Sequence, residues 1–190
     1  MTLPRDVLDF WFGAPDSPEY GTARDLWFRK SDATDATIRA RFGADVEAAL
    51  AGERESWASG PRATLALLLL LDQFTRNIFR DTPRAFAGDP QALSLARGLV
   101  ERGEDRKLSA VERWFVYLPF EHSESLPMQE EALRLCGHLA AEGYGEALVW
   151  AQKHHDVIAR FGRFPHRNTI LGRSSSTEES QFLQQPGSRF

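Results

Sequence analysis

The segment Pro61-Arg-Ala-Thr-Leu-Ala-Leu-Leu-Leu-Leu-Leu71 decides the fold, because it contains the most apolar run of the chain. Alanine and leucine dominate it and β-branched residues are few, so helix propensity favours a helix over a strand. A helix without a polar face from Leu65 to Leu71 must be surrounded by other elements. Pro61 suits the first turn of such a helix. The sequence therefore predicts a buried central helix that begins at Pro61.

Start and stop signals place further helices on both sides of the central helix. Pro4 and Gly13 bound an apolar first helix over residues 4–12. Ser109-Ala-Val-Glu112 matches a capping box that opens a helix over residues 110–118, and Pro119 ends or kinks it. Ser176-Thr-Glu-Glu179 matches a second capping box. A helix is predicted from Ser31–Thr34 to about Phe42, where Gly43 either ends it or only weakens a helix that continues through Leu50. Other helices are predicted from Asp89, as the N-cap, to Gly103, over Pro127–Ala141, and from Tyr144 or Gly145 to Arg160.

This pattern predicts an all-α fold, in which antiparallel helix pairs form a bundle or a short solenoid. No stretch predicts a strand, and no sequence period recurs. A chain of 190 residues suits one helical domain, residues 1–190, with residues 184–190 as a loose C-terminal tail.

The composition of the chain argues against several classes of function. A formal net charge of -4 argues against general nucleic-acid binding, which needs a basic face. The single cysteine, Cys136, excludes an intramolecular disulfide and a four-cysteine zinc site. The N-terminus lacks a signal-peptide pattern, and no apolar run reaches the roughly 20 residues of a membrane span. We expect a cytoplasmic protein without nucleic-acid or membrane partners.

Three polar segments stand out: Leu71–Arg80, Pro119–Glu124 and Phe161–Arg173. The first and third each contain an Arg-Asn pair, and no acidic residue occurs between Val157 and Thr177. A local surplus of cations in an acidic chain needs a counter-charge, from the fold or from a ligand. We predict that the segments converge on one cleft. Its candidate ligand-binding residues are Asp72, Arg76, Asn77, Arg80, Glu121, Arg163, His166, Arg167, Asn168 and Arg173.

Two interpretations of these residues remain open. In the first, the arginines form a pocket for a phosphate or carboxylate group, which guanidinium groups bind through paired hydrogen bonds. In the second, the arginines pair with Asp72, Glu121 and Glu124, and the asparagines fix loop backbone. If the central helix continues past Leu71, Asp72, Arg76 and Arg80 lie on one face of it.

His122, Glu124 and His154 are the candidate catalytic residues. A carboxylate beside His122 raises its proton affinity, which suits a general acid or base; the alternative is a structural hydrogen bond at a helix end. A metal site would join His122, Glu124, His154 and Asp156, whose types suit zinc or manganese. No pair has a dedicated ligand spacing and nearby arginines would repel a cation, so we predict neither a metal nor a cofactor.

The three segments, with Val7-Leu-Asp-Phe-Trp-Phe12 and Ala85-Phe-Ala87, resemble the bacterial "domain of unknown function 924" family. The resemblance extends from about Val7 to about Leu183. It implies an α-α superhelix similar to tetratricopeptide-like folds and implies no activity. Two positions depart from the family pattern: Thr75 replaces a proline after Asp-Gln-Phe, and Ser125 replaces an acidic residue after His-Ser-Glu.

Two functions follow as hypotheses. The first is a protein that binds an anionic small molecule, with enzymatic use of a histidine as acid or base. The second is a tetratricopeptide-like scaffold whose concave face binds an acidic peptide or a partner protein. The sequence identifies neither the ligand, nor the reaction, nor the oligomeric state.

Overall fold

A computed structural model describes residues 2–188. Within this range the chain forms helices and turns without a β-strand, which confirms the all-α prediction. The helices are α1 (Pro4–Phe12), α2 (Asp32–Leu50), α3 (Pro61–Leu68), α4 (Thr75–Ile78), α5 (Asp89–Glu101), α6 (Ala110–Glu121), α7 (Leu126–Ala141), α8 (Gly145–Phe161) and α9 (Thr177–Phe182). A π-helical segment, Leu69–Phe74, joins α3 to α4. Short 3-10 turns cover Glu55–Ser59, Pro83–Phe86, Asp105–Lys107 and Pro165–Arg167.

The chain divides into two compact units. Unit 1 consists of the residues up to Arg80 together with Arg84–Pro119, and unit 2 of Asp81–Pro83 together with the residues from Phe120 onward. The single domain over residues 1–190 stays a prediction. In the predicted C-terminal tail, residues 184–188 form turns in which Ser188 Oγ donates to the Leu183 carbonyl. The last two positions, 189 and 190, lie outside the described residues.

The core of unit 1 surrounds the predicted central helix. Every residue from Leu65 to Leu71 is at most 1% exposed, because α1, α2 and α5 pack against α3 and the π-helical segment. Aromatic rings close the sides of this core: Phe74 lies 5.3 Å from Trp11 and 5.2 Å from Phe42 between ring centroids. Helix α3 begins at Pro61, as predicted.

The central helix differs from the prediction in its second half. The π-helical segment holds about one residue more per turn than an α-helix. Thr75 Oγ1, at the start of α4, donates to the Leu71 carbonyl of this segment at 2.8 Å. Gly88 packs directly over that carbonyl, where a Cβ atom would overlap the Leu71 oxygen. Because α4 ends at Ile78, Arg80 lies beyond the helix. The expected shared face of Asp72, Arg76 and Arg80 therefore does not extend to Arg80.

Helix α6 continues past Pro119, which we expected to end or kink it after Leu118. A proline removes one backbone donor, and the buried residues on both sides of Pro119 keep the helical turn packed. Glu121 is therefore the last helical residue rather than a loop residue. The capping box at Ser109 is confirmed, because the Ser109 amide donates to Glu112 Oε2 at 2.9 Å and the Glu112 amide donates to Ser109 Oγ.

Unit 2 contains an antiparallel pair, α7 and α8, joined by residues 142–144. Both helices carry small side chains that are fully buried, namely Ala132, Ala147 and Ala151. Phe161 and Phe182 pack against the cluster of Val157, Ile158 and Phe164, which holds the C-terminal helix on this pair.

Candidate functional site

In unit 1, Arg76 binds two carboxylates. Its guanidinium donates to both oxygens of Asp89, at 2.8 Å and 3.0 Å, and lies 3.3 Å from the Asp72 carboxylate. Burial disfavours the charge, yet Asp72 and Asp89 hold the pKa of Arg76 above its usual value. The predicted ligand residue Arg76 thus joins the π-helical segment to the start of α5.

Asn77 and Arg80 share one partner in α2. Asp35 accepts a hydrogen bond from Asn77 Nδ2 at 2.7 Å and two from Arg80, each at 2.9 Å. Sequence reasoning did not identify Asp35 as a site residue and treated Asp89 only as a helix cap. The first polar segment therefore forms ion pairs inside unit 1, as the second interpretation expected. Asp72 was among the expected carboxylates, whereas Asp35 and Asp89 were not.

In unit 2, Glu124 connects the second and third polar segments. Its carboxylate accepts the Phe164 N–H at 2.8 Å and two N–H groups of Arg173, at 2.7 Å and 2.9 Å. Burial opposes ionisation here, but the hydrogen bonds from Arg173 and Phe164 hold the pKa of Glu124 below its usual value. Glu124 is therefore an ionised acceptor that fixes the loop after α8.

Two further contacts fix the same loop. Arg163 donates to both oxygens of Glu179, at 2.6 Å and 2.8 Å, and lowers the pKa of Glu179 to about 2. Asn168, which is fully buried, donates to Ser175 Oγ and accepts from Arg173 Nε, each at 3.0 Å. Arg163, Asn168 and Arg173 thus hold the loop between α8 and α9 together.

His154, His166 and the Arg167 guanidinium lie against the ring of Phe164, and His122 lies against His154. We call the group of His122, His154, Phe164, His166 and Arg167 the histidine cluster. Ring centroids lie 6.0 Å apart for His122 and His154, 5.7 Å for His154 and Phe164, and 5.6 Å for Phe164 and His166. The Arg167 guanidinium carbon lies 4.5 Å from the Phe164 centroid. His122 and His166 are half-buried, whereas the other members are buried.

Within the histidine cluster, His154 is neutral. Burial, reinforced by the nearby His122, lowers the pKa of His154 to about 3. Nδ1 lies 2.9 Å from the Trp150 carbonyl, which fixes the proton on Nδ1 and makes Nε2 the acceptor of the ring. Nδ1 also lies 3.6 Å from Glu121 Oε2, and this contact becomes an ion pair only when the ring is protonated.

Glu121 is fully buried and contacts His154 of the histidine cluster. Cys136 Sγ donates to Glu121 Oε1 at 3.5 Å, and burial next to this carboxylate raises the pKa of the Cys136 thiol. The thiol is thus a packing and hydrogen-bonding group rather than a nucleophile.

The structure brings together the predicted residues of the second and third segments, with His154 of α8, within unit 2. These are Glu121, His122, Glu124, His154, Arg163, His166, Arg167, Asn168 and Arg173. Asp72, Arg76, Asn77 and Arg80 belong to unit 1. The convergence of all three segments on one cleft stays a prediction. Across residues 2–188, no group of three or more His, Cys, Asp or Glu side chains is arranged to hold a metal ion.

The helices described above define an all-helical protein. Unit 2 contains the histidine cluster. None of the helices in the described part of the chain combines the length and apolar character needed to span a bilayer. Residues 7–187 match a family described as bacterial protein of unknown function (DUF924), and the chain belongs to this family.

A solved structure supports the fold. It is a protein of unknown function, ATU0120, from Agrobacterium tumefaciens, 41% identical to this chain with a TM-score of 0.85. The alignment covers 95% of this chain and 96% of that one. A search of curated proteins found no match.

Proposed function

We propose that unit 2 binds a small molecule carrying a phosphate or carboxylate group, and that a histidine of the cluster exchanges a proton with it. The observation that carries this proposal is that the His154 and His166 imidazoles and the Arg167 guanidinium contact one phenyl ring, with the His122 imidazole next to His154. Arginine recognises anionic oxygens through paired N–H donors, and histidine is the side chain whose charge changes most readily near neutral pH.

In this proposal, each residue has a separate role. Arg167 binds the anion, because packing on Phe164 fixes the plane of its guanidinium and the direction of its donors. His122 is the proton carrier, since it is half-buried and accessible to solvent. His154 is a neutral acceptor that orients the ligand through Nε2.

The remaining predicted residues support the site without contacting the ligand. Glu124 and Arg173 hold the loop that carries His166 and Arg167, because their two-fold hydrogen bond ties this loop to the turn after α6. The arginines of unit 1 are engaged with Asp35, Asp72 and Asp89, so the proposal does not require them.

Calorimetric and thermal-shift titrations of the full chain with inorganic phosphate and with citrate test this proposal. We expect both anions to stabilise the wild type, and Arg167→Ala to weaken binding at least about tenfold, the loss of ~1.4 kcal/mol of a charge-assisted contact. Arg160→Ala is the matched control, because Arg160 is an exposed arginine of the same unit that pairs with Glu178. The proposal fails when neither anion stabilises the wild type, or when both variants bind equally.

A second candidate function rests on the α7–α8 pair. Two helices of 16 and 17 residues with a three-residue connection have the dimensions of a tetratricopeptide-like hairpin. We propose, as this second candidate, that the hairpin belongs to an α-α superhelix that binds an acidic peptide. Titration with a peptide ending in Asp-Asp-Glu, against its amidated Asn-Asn-Gln counterpart, tests it; equal or absent binding of the two peptides rejects it.

A further inference from the structure

We infer that Gln129 is a positioning residue for the histidine cluster, acting through the turn that carries His122. Neither the sequence pattern nor the family description assigns a role to this glutamine. The inference rests on the proposed function, because the position of His122 matters for ligand binding by the histidine cluster. Whether Gln129 fixes that position is tested separately.

The end of α6 creates a hydrogen-bonding problem. The last carbonyl groups of a helix have no partner within the helix, and burial makes an unpaired carbonyl costly. Helix α6 ends at Glu121, and α7 begins only five residues later at Leu126. Of the backbone amides in this turn, Ser123 N–H donates to the Phe120 carbonyl at 3.2 Å. A side-chain donor can also serve the carbonyls of Glu121 and Ser123 at this helix end.

The side chain of Gln129 is that donor. Its Nε2 atom lies 2.7 Å from the Glu121 carbonyl oxygen, 2.6 Å from that of Ser123 and 3.4 Å from that of Phe120. Gln129 is fully buried. Its Oε1 atom is buried without a hydrogen-bond partner among residues 2–188, so the donor side of the amide determines its orientation.

The position of Gln129 explains why this residue type is needed. It is the fourth residue of α7, and helical side chains lean toward the N-terminus, which directs the amide back onto the turn after α6. A glutamate there would place an acceptor against three carbonyls. A methionine of similar length would remove the side-chain donor from the Glu121 and Ser123 carbonyls, whereas a lysine would keep one.

The two closest carbonyls flank His122 in the chain. The amide therefore fixes the backbone immediately before and after this histidine. It fixes Glu121 at the same time, and Glu121 contacts both His154 and Cys136. Loss of the donor is expected to shift His122 relative to His154 without removing any atom of the histidine cluster.

Nuclear magnetic resonance of histidine-¹⁵N-labelled full chain tests the inference. In Gln129→Met we expect the imidazole signals of His122 and His154 to shift, and the signal of exposed His138 to stay in place. Gln129→Lys restores a donor, so its imidazole signals are expected to lie close to those of the wild type. The matched control is Gln181→Met, on the exposed side of α9. A folded Gln129→Met variant with wild-type imidazole signals overturns the inference.

A wild-type measurement decides the question if Gln129→Met does not fold. The two side-chain amide protons of Gln129 are expected to exchange with solvent much more slowly than those of exposed Gln181. Equal exchange rates overturn the inference, and slow exchange together with wild-type-like signals in Gln129→Lys supports it.

Phosphate titrations of the wild type and Gln129→Lys separate this inference from the proposed function. If the wild type binds no phosphate, the proposed function fails, while the imidazole signals and amide exchange still decide the role of Gln129. If the wild type binds phosphate and the imidazole signals do not respond to Gln129→Met, only the positioning role fails.

Discussion

The carboxylate of Glu124 accepts hydrogen bonds from both terminal nitrogens of Arg173, across 49 residues of sequence. The same carboxylate accepts the Phe164 N–H, so one side chain joins the turn after α6 to both ends of the loop after α8. The loop depends on this carboxylate being ionised, which makes its stability sensitive to acid.

Acid is expected to weaken unit 2 through Glu124. Because the pKa of Glu124 is lower in the folded chain than in the unfolded chain, its contribution is complete above the unfolded value of 4.5 and is lost as the pH falls through the folded value. Glu124→Gln should lower the free energy of unfolding at neutral pH and reduce its decline below pH 4.5. Urea unfolding across this range measures both effects. Glu130→Gln, an exposed replacement in α7, should leave the decline unchanged.

His154 should produce a second acid-dependent loss at higher pH. Its pKa falls from 6.5 to about 3 on folding, so the unfolded chain binds the additional proton between these values. The free energy of unfolding should therefore decrease as the pH falls from 6.5 toward 3. His154→Gln should remove this slope, whereas His138→Gln should leave it in place. An unchanged slope in His154→Gln would show that the ring is not held neutral.

The ion pair of Arg76 and Asp89 should matter more than an exposed pair of the same unit. Asp89→Asn breaks a two-fold hydrogen bond of a partly buried guanidinium, and we expect a loss of about 3 kcal/mol in the free energy of unfolding. Glu47→Gln breaks the contact with Arg84, where both side chains are about half exposed, and should cost below ~1 kcal/mol. Chemical denaturation compares the two variants. Equal costs would contradict the buried character of the Arg76 pair.

Gly88→Ala should destabilise unit 1 strongly. The added Cβ would overlap the Leu71 carbonyl oxygen, and backbone on both sides must move to relieve the contact. We expect a loss of about 3 kcal/mol or more, in the range of severe overpacking. Gly137→Ala is the control, because the Cβ meets no atom within 4 Å and lies inside α7. That change should stabilise the chain by about 0.5–1 kcal/mol through helix propensity.

Local signals in the sequence predicted the helices well. The capping boxes at Ser109 and Ser176 form as expected, because each joins residues only three positions apart. The central helix begins at Pro61 because a proline and an apolar run act within a few residues. Its π-helical second half was not predicted, since the close approach of Gly88 depends on tertiary packing.

The candidate site was predicted less completely, because its contacts also depend on tertiary packing. Residue types identified the histidines and arginines, but the partner of Arg80 lies 45 residues away at Asp35, and no spacing rule specifies such a pair. Gln129 was also missed, although a glutamine within one turn of a helix start and close to a preceding helix end is a usable signal. The end of α6 was predicted too early, at Leu118, because a proline removes only one backbone donor and does not by itself end a helix.

The π-helical segment should constrain the number of residues in this part of the chain more than their identity. One leucine of the run Leu67–Leu71 can be exchanged for another aliphatic residue with a modest effect on packing. Deleting one codon is different, because it would return the π-helical turn to ordinary α-helical geometry and move the Leu71 carbonyl against which Gly88 packs. Related sequences should therefore conserve the number of residues between Pro61 and Arg76 more strictly than their identity.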